Sequence, residues 1–306
     1  MKMNLGRLPF VTYPEPYDDS GSELAFVIPL FNSSTQLLLD YSLVSGAIAS
    51  GRSFILNTDV VERRIPIFFF VEDSVYQIWG EVFLRLGVPA SRIRTFTAPP
   101  AKMDWRRTSK RLYVMHDPVI SQYENYILSD ADQFACRKVG VDKIRTDYLQ
   151  GDTFAVTSSG FSNPDISLGA DRFYWFNKWS GASTDEEHFE RSEQALQEIR
   201  PDLSFKQSIP YFIGDCNFMR FPKSLPKDFT DFIFELEPVI GDEEPIFSLW
   251  QTLLAGQIDL LNVRGMAHSV GAMYRHRDTM GYWCHAYTDS MTMESWETDF
   301  RADIGI

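Results

Sequence analysis

Two unbroken apolar runs constrain the fold of this chain more than any other feature. They are Leu24-Ala25-Phe26-Val27-Ile28-Pro29-Leu30-Phe31 and Ile65-Pro66-Ile67-Phe68-Phe69-Phe70-Val71. A strand with one face in water alternates apolar and polar residues, whereas one covered on both faces reads as a continuous run. Each run is followed by helix signals. After the first, Asn32-Ser33-Ser34-Thr35 offers N-cap residues, and helical spacing continues through Ala49 to a stop at Gly51. After the second, Asp73 or Ser74 caps a helix to about Leu86, with Gly87 and Pro89 as its stop. Ile93–Thr97 reads as a third strand, and Pro99–Tyr123 as a partly helical approach to a fourth. Strands alternating with helices in this way imply a right-handed, mainly parallel sheet flanked by helices.

The later pattern is less regular. Thr153–Thr157 and Ile258–Val263 read as short strands, and Tyr211–Phe221 as a strand bent at Gly214. Asp185–Ile199 is an amphipathic helix entered through Ser183 or Thr184, and Glu243–Leu254 is another helix. Residues 1–22 read as an irregular arm, and no internal repeat or linker divides the chain, so residues 1–306 form one domain.

At 306 residues and 44% hydrophobic content the chain can bury a substantial core. Its formal charge of −13 argues against a nucleic-acid backbone or an anionic membrane as partner, since both require a basic field. An acidic protein that binds a diphosphate needs a cation to offset repulsion. Cys136, Cys216 and Cys284 are too scattered for a disulfide framework or a zinc site. With no membrane-length apolar stretch and no leader pattern, the expectation is a soluble, cytoplasmic protein.

The fourth strand ends in chemistry. Tyr126-Ile127-Leu128-Ser129 runs into Asp130-Ala131-Asp132, placing both carboxylates at the strand's C-terminal edge. That edge is where open α/β sheets bind ligands. Two carboxylates there make half of an oxygen-rich site for Mg²⁺ or Mn²⁺ and leave coordination positions for diphosphate oxygens. The ordinary alternative is a helix N-cap followed by solvated acids. A strand followed by Asp-x-Asp near mid-chain resembles the nucleotide-sugar glycosyltransferases of the GT-A fold. Three further blocks follow the order of that fold: Pro29-Leu30-Phe31-Asn32, Glu72-Asp73, and Tyr211–Phe221 paired with Gly241–Phe247.

The resemblance implies a Rossmann-like donor half over about residues 24–150 and an acceptor half with a C-terminal tail over about 151–306. It implies a metal-dependent hexosyltransferase using a UDP- or GDP-sugar and a glycan, lipid or protein acceptor. Pro29, Leu30, Phe31 and Asn32 would begin the nucleotide pocket, Glu72 and Asp73 would meet the base or ribose, and Lys110 would face the diphosphate. Asp130, Ala131 and Asp132 would hold the metal and diphosphate, with His285 as a third metal ligand and His268 as second choice. Asp242, Glu243, Glu244 and Asp215 are the candidate catalytic carboxylates, acting as base or positioning groups, with retention slightly favoured. Each has a structural alternative: Gly-Asp-Glu-Glu-Pro is a good helix start, Asp215 an ordinary bulge residue, and Lys102, Arg106, Arg107, Lys110 and Arg111 a solvated helix face. A catalytically inactive GT-A-like binding module is the competing function. A sugar nucleotidyltransferase ranks lower, because Asn32-Ser33-Ser34-Thr35 lacks the glycines and cations of its phosphate loop.

Overall fold

The computed structural model describes residues 22–33, 39, 41–102, 107–131, 133–135, 140–148, 151–157, 186–204, 218–241, 243–253, 258–261 and 283–285. A seven-stranded sheet runs through them in the order β3-β2-β1-β4-β7-β6-β8. Its strands are β1 (Leu24–Leu30), β2 (Ile67–Glu72), β3 (Ile93–Phe96), β4 (Asn125–Ser129), β6 (Ala155–Thr157), β7 (Phe218–Pro222) and β8 (Asp259–Leu261). β1, β2, β3 and β4 pair in parallel, β7 runs antiparallel to β4 and β6, and β8 is parallel to β6. The result is a mainly parallel sheet with one reversed strand. This is the mainly parallel, helix-flanked α/β sheet that the alternation of strands and helices in the sequence implied. A second, two-stranded sheet pairs β5 (Gln133–Ala135) with β9 (Trp283–His285).

The continuous apolar runs are explained by cover on both faces. Leu24, Phe26, Ile28 and Leu30 enter one core with Val44, Ile48 and Phe54 of α1 (Tyr41–Asn57) and Val75 and Phe83 of α2 (Asp73–Arg85). Ala25 and Val27 enter the opposite core with Phe232, Leu236 and Ile240 of α5 (Lys227–Ile240) and Phe247 and Trp250 of α6 (Glu243–Leu253). Leu196 of α4 (Glu186–Ile199) joins that second layer, while Val141 and Ile144 of α3 (Val141–Tyr148) join the first.

Several elements depart from expectation or add to it. The helix after β1 starts at Tyr41 rather than in the Asn32–Thr35 cluster, and it runs through Gly51 instead of stopping there. Its buried Val44, Ala47, Ile48 and Phe54 outweigh the roughly 1 kcal/mol that a helix-interior glycine costs. The partly helical approach to β4 is a 3₁₀ helix, Thr108–His116, followed by a shorter one, Ile120–Gln122. Helix α5 was not anticipated at all, and neither were α3 and the small sheet.

Candidate active site

Because β1, β2 and β4 are parallel, their C-terminal ends share one edge of the sheet. The ends of β1 and β2 are tied together there. The Asn32 N–H donates to Glu72 Oε2 at 2.9 Å, and its side-chain amide donates to Ser74 Oγ at 3.1 Å. Asn32 Oδ1 accepts the Leu39 N–H at 2.8 Å. Asn32 therefore ties the chain leaving the strand to the end of β2. Lys110, from the 3₁₀ helix, donates to the Asn32 carbonyl at 2.8 Å and to Glu72 Oε1 at 2.7 Å. Asp73 opens α2 and accepts from the Thr97 hydroxyl. Pro29 and Leu30 are buried in the sheet, and Phe31 is half-buried at its edge.

The same 3₁₀ helix delivers Arg111 to the end of β4. One arm of its guanidinium donates to Asp130 Oδ1 and the other to Glu243 Oε1. A planar fork that grips two carboxylates is geometry lysine cannot reproduce. It joins the first acid of Asp-x-Asp to the first turn of α6. Glu243 is almost wholly buried, with 3% of its side chain exposed, and its Oε2 has no hydrogen-bond partner among the described residues. A buried carboxylate oxygen left unpaired costs free energy, so it marks a place where another donor is wanted.

A second carboxylate, six positions earlier, is treated differently. Glu237 of α5 is fully buried. It takes both Nε and Nη2 of Arg107, the Ser109 hydroxyl at 3.2 Å and the Tyr113 phenol at 2.8 Å. Burial and the adjacent Glu237 charge push the Tyr113 phenol well above its ordinary range, so it remains a donor. The corner between α5 and α6 is stitched to the same segment. The Ser109 N–H donates to the Gly241 carbonyl at 3.2 Å, and the Lys102 N–H to the Pro238 carbonyl at 2.8 Å. Gly241 sits at φ 71°, the left-handed conformation that ends helices and suits glycine. Arg107, Lys110 and Arg111 are thus buried and committed to acids, not displayed on a solvated helix face.

Sequence reasoning missed Glu237 because α5 was missed. The signal was present: Phe229, Phe232, Ile233, Leu236 and Ile240 fall at helical spacing, and Glu237 lies on that apolar stripe. A lone charge there implies a buried partner.

The small sheet reaches the Asp-x-Asp loop from the far end of the chain. Gln133 pairs with His285 in its ladder, and the Gln133 carbonyl accepts the Ser50 hydroxyl of α1. The Gln133 side chain is fully buried, and neither its Oε1 nor its Nε2 has a partner among the described residues.

Asp132, Asp215, Asp242 and His268 lie outside the described residues, and Glu244 and His285 are described by backbone alone. Within what is described, Ala131 and Asp130 follow β4, and Phe218, which opens β7, pairs with Ser129 at the same edge. Among the described residues no three His, Cys, Asp or Glu side chains converge as a metal cluster. No described helix is long and apolar enough to cross a membrane.

No family model matches the chain, and no curated protein does. Solved structures do resemble it. The bifunctional glycosyltransferase WbbM is 13% identical, with a TM-score of 0.49 over 96% of this chain and 51% of its own. An active-site mutant of LgtC is 11% identical, with a TM-score of 0.45 over 90% of this chain and 95% of its own. Mouse xyloside xylosyltransferase 1 is 8% identical, with a TM-score of 0.43 over 88% of this chain and 99% of its own. The chain therefore spans about half the length of WbbM.

Proposed function

We propose that this chain is a metal-dependent glycosyltransferase. It moves a sugar from a nucleoside-diphosphate donor, UDP- or GDP-linked, to an acceptor hydroxyl. The observation that carries this reading is the Arg111 bridge between Asp130 and Glu243, with a buried carboxylate oxygen left over on Glu243. A sugar ring presents hydroxyl donors, which are what that oxygen lacks. Sugar transfer builds positive charge on the ring and negative charge on the departing diphosphate. Glu243 suits the first charge, as an acceptor for sugar hydroxyls close to the reacting carbon. Arg111, whose two arms hold Asp130 and Glu243, sets the relative position of both carboxylates for that chemistry.

The donor set at the loop fits a hard divalent cation. Asp130 and Asp132 supply carboxylates, and the ladder position of His285, opposite Gln133, supports its role as a third ligand. Mn²⁺ or Mg²⁺ held there would act as a Lewis acid on the diphosphate. Asn32 and Glu72 close the floor of the nucleotide side. Asp242, Glu244 and Asp215 remain proposed acceptor-side groups, with a slight preference for a retaining outcome. The acceptor comes from the glycan, lipid or protein classes.

A thermal-shift panel of UDP, GDP, CMP and their sugars, with and without Mn²⁺, tests the reading, because a ligand bound only by the folded state raises apparent stability. The expected result is a Mn²⁺-dependent rise with one nucleotide that disappears in Asp132→Ala. A flat response to every nucleotide would leave an inactive GT-A-like module as the better description.

A further inference from the structure

Glu243 opens α6, where the helix dipole favours a negative side chain, and it is almost wholly buried. Its Oε1 accepts one arm of Arg111, and the other arm of that guanidinium goes to Asp130. A fork held at both ends cannot swing to serve a newcomer. The corner behind Glu243 is fixed as well, because the Ser109 N–H, two residues before Arg111, donates to the Gly241 carbonyl at 3.2 Å. Oε2 is therefore held in one orientation, buried, and without a hydrogen-bond partner among the described residues.

An ionised carboxylate accepts hydrogen bonds and has none to give. A hydroxyl or amide N–H of a sugar can meet Oε2. A sugar carboxylate cannot, because it brings a further negative charge to a buried place where Arg111 already serves two acids. The neighbouring cations do not relieve that repulsion. Lys110 is held by Glu72 and the Asn32 carbonyl, and Arg107 by Glu237. We infer that Glu243 is a specificity-determining residue that selects an uncharged donor sugar and rejects uronic acids. This deepens the function proposed above and rests on it. The selection comes from repulsion of the wrong sugar as much as from attraction of the right one.

The test uses donor pairs that differ only at the sixth carbon: UDP-glucose against UDP-glucuronic acid, and GDP-mannose against GDP-mannuronic acid. Calorimetric titration with Mn²⁺ present gives the affinity of each, beside that of UDP and GDP alone. In the pair whose nucleotide binds, the uronic acid donor should bind about a hundredfold more weakly than the neutral one, because like charges brought together at an interface cost heavily. Glu243→Gln puts an N–H donor where Oε2 stands, while its amide oxygen still accepts from Arg111. That variant should narrow the gap by about tenfold or more, the scale of one hydrogen bond to a charged group. Glu243→Asp keeps the charge and should keep the gap. If no donor sugar binds, the glycosyltransferase reading and this inference fall together. If donor sugars bind and the parent takes the uronic acid as well as the neutral hexose, that reading survives and the inference is overturned. It is also overturned if the gap persists in Glu243→Gln, or if Glu243→Asp narrows it as much.

Discussion

Glu237 and Glu243 stand on either side of the Gly241 corner, both buried, and each is gripped by an arginine from one short segment. Glu237 is saturated. Arg107, Ser109 and Tyr113 occupy both of its oxygens. Glu243 shares Arg111 with Asp130 and keeps one oxygen unpaired. The same residue type, with the same kind of partner and nearly the same burial, is a strut in one place and, in the function proposed above, a site in the other. Burial and ion pairing do not separate the two. Unspent hydrogen-bonding capacity does.

Glu237→Leu is the harshest test of that contrast. It leaves the Arg107 charge buried without its counter-ion, a change that typically costs about 3–5 kcal/mol. Urea unfolding should show that loss, and a midpoint close to the parent's would remove the strut from the argument. Glu243→Gln should do the reverse. The amide can still accept from Arg111, so stability should move by no more than about 1.5 kcal/mol, the worth of one hydrogen bond. Sugar transfer should nonetheless fall about a hundredfold, near 2.7 kcal/mol of transition-state stabilisation. Unchanged turnover with the donor saturating would show that the unpaired oxygen is incidental.

Tyr113→Phe is the finest probe. It removes one of several bonds to Glu237 and should cost about 1 kcal/mol, with transfer intact. The tyrosine also predicts a pH dependence. Its folded pKa lies above the unfolded value of 10.0, so its contribution is complete below pH 10 and is lost as the pH rises towards the folded value. Parent stability should therefore decline above about pH 10, and the decline should be shallower in Tyr113→Phe. Tyr126, also raised by burial, would carry part of the remaining slope.

What the sequence revealed follows the same division. β1, β2 and the strand before Asp130 were legible because two-sided burial writes itself into consecutive residues. Asp130, Glu72 and Glu243 were legible because strand ends and helix starts fix where side chains emerge. Arg107 and Arg111 looked like members of a surface basic cluster, because their partners Glu237, Asp130 and Glu243 are set by tertiary packing and lie far along the chain. Gly51 read as a helix stop because local propensity cannot foresee the buried face that carries α1 past it. Gln133 carried no signal in the sequence; its burial and the unpaired atoms of its amide come only from packing.

The ladder of the small sheet has a consequence for how the protein is made. Half of the chain lies between Gln133–Ala135 and Trp283–His285, yet the two segments meet beside the Asp-x-Asp loop. During synthesis the β1–β4 sheet can assemble from contiguous residues, whereas the small sheet must wait for the ribosome to reach β9. A nascent chain stalled before Trp283 would have the β1–β4 sheet but lack the strand that pairs with Gln133–Ala135. Late completion of that kind delays the small sheet until residue 285 has emerged.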